Sequence, residues 1–404
     1  MHDAFGNTVR CSSAIAVRAY DRAVDRYLHA FPGVLEATEE ALAHDPGFAL
    51  AHALRGLFHA MYGRGDEARQ SLARARDRME DASDREKDHV ALLGAIIEAR
   101  TRDALSAVER HGTRYPTDIA AIAPALGAYG LFAFSGRADH DAARLAFVER
   151  IATHFPSSFP WLLAHRGWCR IESGAVDEGL AMVLAAMAER PANGHGAHMV
   201  MHGYYEKGEP ASAQTFLATW MPSYPDHALM WGHLQWHWAL AELALGRDDL
   251  ALARLLGPIL DYLPRGTPFM GLADIVALLW RLGLRGTRIT AWSAARQHAH
   301  LFFSKGSNPF GELHLAMLAA AYRQRDELEK CERRLESLAR AGHEGASVVR
   351  HWAAGLKALI EDDTQAALNE FDACRAELPR IGGSGAQRRI VEETRAALHV
   401  PVPD

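Results

Sequence analysis

The sequence predicts an all-α protein of stacked helical repeats, a tetratricopeptide-like α-α superhelix (solenoid) with a concave groove, and three observations predict it. The chain is rich in Ala, Leu, Arg and Glu and contains no block of alternating strand residues. Its 404 residues exceed one ordinary globular core, which leaves several domains or one elongated repeat array. The third observation is internal repetition.

The repeat frame is clearest in "PWLLAHRGWCRIESGAVDEGLAMVLAAMAERP", Pro160 to Pro191. Gly167 sits in the first helix, Gly174 in the turn, Gly179 and Ala186 in the second helix, and Pro191 closes the unit. Small residues thus fall where two helices cross closely, and proline falls where the second must stop. Along the chain, an N-terminal helix over 1–30 is followed by the same frame at Gly56, Gly63, Ala68 and Ala75, then by degenerate units ending at Pro116 and Pro156. After Pro191 it returns at Gly208, Ala213 and Pro225 and around Gly246 and Ala251. Looser turns follow near Gly283 and Arg325, and the last unit carries Gly355, Ala367, Phe371 and Pro379. The total is roughly nine helix pairs at a period of about 34 to 38 residues.

Two turn-rich stretches, "LPRGTPF" (Leu263–Phe269) and "FFSKGSNPFGE" (Phe302–Glu312), interrupt the ladder, and such loops in a solenoid are often functional. One helical-repeat domain over 1–404 is expected: N-terminal repeats over 31–262, an interrupted repeat with long loops over 263–312, and C-terminal repeats over 313–404. The ending "ALHVPVPD" reads as a loose tail, and exposed terminal repeats leave a homo-oligomer open.

A formal net charge of -6 with interleaved signs supplies neither a basic face for nucleic acid nor a polybasic membrane patch. Cys11, Cys169, Cys331 and Cys374 form no CxxC pair, which argues against a disulfide framework and a cysteine zinc site. There is no secretory leader and no uncharged apolar run of about 18 residues, so a soluble cytoplasmic protein is expected.

The turn glycine fixes the register of each unit, so the face occupied by each of the 22 histidines can be read. With Gly208 at position 15, His195, His198, His202 and Glu206 fall at positions 2, 5, 9 and 13, one helical stripe that such repeats turn toward their groove. With Gly246 in the same role, His233 and His237 fall at 2 and 6, with Trp236 between them. Two neighbouring first helices therefore each present an i, i+4 histidine pair. Trp236 reads as pocket lining or core, whereas Trp238, about 100° further round, reads as packing against the neighbouring helix. His2, His29, His44, His111, His140, His154, His227, His343 and His399 lie in polar or terminal contexts and are set aside.

Seven stretches are too particular for repeat packing alone: "DPGFALAHALRG" (Asp45–Gly56), "REKDHV" (Arg85–Val90), "YPTD" (Tyr115–Asp118), "HMVMH" (His198–His202), "WHWAL" (Trp236–Leu240), "FGELH" (Phe310–His314) and "GGSGAQR" (Gly382–Arg388). In these the chain resembles the tetratricopeptide repeat protein 38 family and its bacterial members. The resemblance implies the helical-repeat fold and hardly any particular reaction. It places His52, His198, His202, His233, His237, Glu312, His314 and Gln387 in or beside characteristic stretches. Tyr204 and Tyr205 stand where the family pattern continues with His and Glu, and Arg389 where it has an acid, so any mechanism needing those groups is in doubt here.

These residues admit three functions. In the first, His198, His202, His233, His237 and His314 perform acid–base catalysis, of hydrolase or lyase type, on a small polar metabolite. His52, His195, Tyr205, Glu206, Trp236, Glu312, Gln387 and Arg388 would bind it. Glu312 would orient His314, and "GGSGAQR" is either an anion-holding loop or a helix start capped by Ser384. In the second, the HxxxH pairs hold a divalent metal, a weak signal without the glutamate of HExxH. In the third, the groove binds a peptide as a non-enzymatic scaffold. No serine triad, phosphate loop or dinucleotide fingerprint is present.

Overall fold

A computed structural model describes residues 1–287 and 289–398. Residues 399–404 of the expected tail lie outside them. Among the described residues there is no strand, only one isolated bridge between His2 and Thr8, and the fold is all-α, a series of tetratricopeptide-like helix pairs. The chain divides into two compact units, one of residues 1–132, 141–203 and 220–231, the other of 133–140, 204–219 and 232 onward.

In the first unit the pairs are Ala14–Leu28 with Val34–His44, Ala49–Met61 with Gly65–Arg76, Asp84–Ile97 with Thr101–Arg114, and Pro160–Glu172 with Val176–Glu189. The small-residue frame has a steric reason. A Cβ on Gly167 would stand 2.6 Å from the Gly179 carbonyl oxygen, and a Cβ on Gly179 would strike the Gly167 carbonyl in return. Gly63 and Gly174 close their turns at φ of +73° and +90°, where glycine is unstrained. Ala99 adopts the same left-handed turn at +56°, which is why that unit looked degenerate in sequence.

Between the third and fourth of these pairs the frame breaks down. The helix Ile119–Ile122 passes into a 3-10 turn, Ala123–Ala125, and the next helix starts only at His140. Sequence periodicity did not single out this long irregular stretch. The unit also closes on itself: Arg190 pairs with Asp25 at 2.6 Å, Gly194 N–H donates to the His29 carbonyl at 2.8 Å, and the Tyr224 hydroxyl donates to the Ala30 carbonyl at 2.5 Å.

In the second unit the complete pairs are Pro268–Leu284 with Trp292–Phe303, Pro309–Ala321 with Arg325–Arg340, and Gly345–Ile360 with Thr364–Ala376. Arg323 and Asp362 turn left-handed without glycine, and Gly286 at φ +80°, not Gly283, makes the turn after Leu284. Pro258 lies inside a helix, and the chain widens to a π turn over Leu255–Ile259, which absorbs the missing N–H and the ring clash. Asn308 caps the Pro309 helix by accepting from Gly311 N at 2.9 Å, so the connection from Phe303 runs only through residues 304–308.

The C-terminal segment folds back across the first helices of this unit. Trp280 Nε1 donates to Thr394 Oγ1 at 2.8 Å, and Arg281 binds Glu393 at 2.6 Å and the Ala386 carbonyl at 2.9 Å. Residues 133–140 join it: Phe134 packs edge-on against Phe269, and Arg380 donates to the Gly136 carbonyl at 3.1 Å. The C-terminal segment thus covers part of the Pro268–Leu284 helix.

Candidate functional site: buried histidine–carboxylate pairs

The helix Gly194–Lys207 begins where Asn193 Oδ1 accepts from Gly196 N at 2.8 Å. Gly194 and Gly203 let it approach Tyr224 and Leu180 closely, because a Cβ at either position would clash there. His198 and His202, four apart, share its inner face and are both buried. Their Nε2 atoms lie 2.9 Å apart with the rings nearly perpendicular, at 87°. Glu172, whose side chain is 2% exposed, lies 3.1 Å from His202 Nδ1. A carboxylate at this position favours the tautomer of His202 that carries its proton on Nδ1.

Trp168 packs against both rings, with centroids 6.4 and 6.1 Å away, and the Arg144 guanidinium covers its other side at 4.1 Å. His165 packs at a tilt of 59° against Trp161, with centroids 4.5 Å apart, and burial, reinforced by nearby His195, Arg144 and His29, holds its pKa well below the ordinary value. Burial, with a smaller contribution from His29, pushes His195 down to about 4. These imidazoles are neutral at physiological pH. His52 is buried too, and its Nε2 donates to the Pro46 carbonyl at 3.0 Å, a bond that ties the helix to the turn before it.

The second unit repeats the chemistry with different residues. His233 Nδ1 donates to both oxygens of Asp274, and its ring stacks on Trp236 at 5.2 Å and 9°. His237 stands perpendicular to His233, with centroids 4.9 Å apart. Burial raises the Asp274 carboxyl above its usual range, while His233 pulls it back. Trp236 is fully buried, whereas Trp238 is partly exposed and carries the Arg254 guanidinium 3.6 Å from its ring centre. Trp238 meets the neighbouring Asp248–Arg254 helix, as its position in sequence suggests, but its side chain is only partly buried.

Several expected roles change. Glu312 does not orient His314, because residues two apart on a helix point to opposite sides. Glu312 instead takes a bidentate bond from Arg334 at 2.9 and 2.8 Å and the Ser307 N–H at 2.8 Å. His314 donates from Nδ1 to the Phe310 carbonyl at 2.8 Å, and burial lowers its pKa to about 4. "GGSGAQR" is a capped helix start: Ser384 Oγ accepts from Gln387 N, and Gln387 Oε1 accepts from Ser384 N at 3.0 Å. Arg388 donates to the Gly383 carbonyl at 2.6 Å. Arg389, the departure from the family pattern, holds Glu206 at 2.9 Å and lies 4.8 Å from the Tyr205 ring centre.

Of the histidines set aside, His29, His111 and His140 are buried. Polar neighbours in sequence do not reveal which face of a helix a side chain takes. "REKDHV" and "YPTD" meet at the buried Asp118, whose carboxylate binds Arg85 at 2.5 Å, His89 at 3.0 Å and His111 at 3.0 Å. Their polar character is thus accounted for by an internal ion cluster. Sequence reasoning missed Glu172 and Asp274, although the register used for the histidines places both on the corresponding faces of adjacent first helices.

No family model matches the chain. Among solved structures, it is similar to an APC/C hetero-tetramer, Cut9-Hcn1, at 14% identity and a TM-score of 0.45, covering 93% of this chain and 75% of that one. It is also similar to the TPR domain of P58(IPK), at 15% identity and 0.25, covering 95% and 88%. A third is Naa15/Naa10 bound to HypK-THB, at 12% and 0.28, covering 95% of this chain and 58% of that one. No helix among the described residues is long and apolar enough to cross a membrane.

Proposed function

We propose that this chain is a tetratricopeptide-type scaffold that binds a protein partner through an exposed apolar patch of its second unit. The observation that carries the reading is Leu301 and Phe302, 69% and 44% exposed at the end of the Trp292–Phe303 helix, beside the Ser304–Asn308 connection. Large apolar side chains adjacent at a loop are an unusual use of surface unless something covers them. The test is affinity capture with wild type and Leu301→Glu/Phe302→Glu, followed by titration of the identified partner in purified form. A saturable complex at least about 10-fold weaker in the variant is expected. Equal affinity for both proteins would remove the patch from the function.

A second reading, histidine acid–base chemistry or recognition of a small polar molecule, is favoured by the Glu172–His202–His198 chain, in which a carboxylate sets the protonation of one imidazole against another. The finer family assignment, to the tetratricopeptide repeat protein 38 group, is likewise our reading and is supported by the polar stretches quoted above. A thermal-shift screen of polar metabolites on wild type and His198→Gln separates this reading from the first. Stabilisation lost in the variant is expected, and no stabilised hit in wild type counts against it.

A further inference from the structure

We infer that His198 and His202 bind a divalent d-block metal ion through their Nε2 atoms, with Glu172 as the outer carboxylate that positions His202. The inference goes beyond the scaffold reading and deepens the second one, on whose residues it rests.

The first argument is geometric. Two imidazole nitrogens on one tetrahedral zinc at about 2.0 to 2.1 Å stand about 3.3 Å apart. The two Nε2 atoms are 2.9 Å apart, so a small rotation of either ring admits an ion between them. The i, i+4 spacing keeps both on one helical face, and the 87° angle between the rings lets two in-plane lone pairs converge without the rings colliding.

The second argument concerns protonation. A ligating imidazole must be neutral, with its other nitrogen donating to a fixed acceptor, and a carboxylate is the usual one. Glu172 stands 3.1 Å from His202 Nδ1, close enough that a small rotation of the ring aligns the two, and both side chains are buried. A hydrogen bond between the two Nε2 atoms needs one of them protonated; a metal ion uses both lone pairs.

Independent support comes from the helix that supplies Glu172. His165, Trp168 and Glu172 lie at i, i+3 and i+7 and so share one stripe of Pro160–Glu172. His165 Nδ1 and Trp168 Nε1 are buried there without a hydrogen-bond partner. Each such atom costs about 1 to 3 kcal/mol, so the helix that supplies Glu172 carries unpaired polar groups on the face it shares with Glu172. The chemical class follows from the donors: imidazole selects zinc, cobalt, nickel or copper over magnesium and calcium.

The experiment uses the full chain, purified without a histidine tag, stripped with EDTA and titrated with Co²⁺. One ion per chain with visible ligand-field bands is expected. His198→Gln and His202→Gln should each abolish the bands, and Glu172→Gln should weaken binding about 10- to 100-fold, while His227→Gln, at an exposed position, leaves it unchanged. X-ray absorption of Zn²⁺-loaded wild type, which needs no variant to fold, should show at least two imidazole ligands. No stoichiometric Co²⁺, a spectrum unchanged in the His198→Gln/His202→Gln protein, or zinc without imidazole ligands would each overturn the inference. Absence of Co²⁺ binding together with metabolite stabilisation in the EDTA-stripped chain would overturn the metal alone and leave the second reading standing.

Discussion

His233 donates from one nitrogen, Nδ1, to both carboxylate oxygens of Asp274, at 2.8 and 2.9 Å, with both side chains buried. Removing one partner of such a pair strands the other in a low-dielectric interior. Asp274→Ala should cost about 3 to 5 kcal/mol. Asp274→Asn, which keeps an acceptor oxygen, should cost about 1 kcal/mol. Chemical denaturation compares the two, and equal losses would mean that acceptance of the His233 proton is not what holds the pair.

The closest helix crossing described above is set by Gly167 and Gly179. Gly167→Ala forces its Cβ against backbone, which cannot move as a flexible side chain can, so a loss of about 1 to 3 kcal/mol is expected. Gly174→Ala meets no atom within 4 Å but must hold φ at +90°, and should lose about 1 kcal/mol. The order of the two thermal midpoints tests whether packing or backbone conformation dominates the repeat frame.

Acid should weaken the fold in two separate windows. His314 has a folded pKa of about 4, below its unfolded value of about 6.5, so the unfolded chain binds the extra proton. Its contribution is intact above pH 6.5 and falls by up to about 1.4 kcal/mol per pH unit between 6.5 and 4. Asp118 is also held below its ordinary value, by His89, His111 and Arg85 against the opposing effect of burial, so its contribution is lost only below about pH 4. Between pH 6.5 and 4 the slope of stability against pH should be shallower in His314→Gln by up to about 1.4 kcal/mol per unit, with His165 and His195 carrying what remains, and an unchanged slope would assign that window to those other groups.

Glu312 is fully buried and depends on Arg334 for its charge balance. Arg334→Met should destabilise the chain by about 3 kcal/mol, and Glu312→Gln/Arg334→Met should recover part of that loss because no buried charge remains. A double variant no better than the single would locate the energy in the arginine's packing instead.

Sequence periodicity alone determined the helix pairs, because each needs small residues at the crossing and an apolar face, and both leave marks at fixed spacing. It also placed His198 with His202, and His233 with His237, on common faces, since four residues make about one turn. Partners across elements were decided only by tertiary structure. Glu172 reaches His202 from another repeat, Asp274 reaches His233 over 41 positions, and Trp280 meets Thr394 over 114. Local spacing cannot specify such pairings, because they depend on how the helices stack and on a C-terminal segment that returns across earlier repeats. For the same reason "GGSGAQR" and "FGELH" looked like site motifs in sequence, while folding commits Gln387 to a helix cap and Glu312 to a buried ion pair.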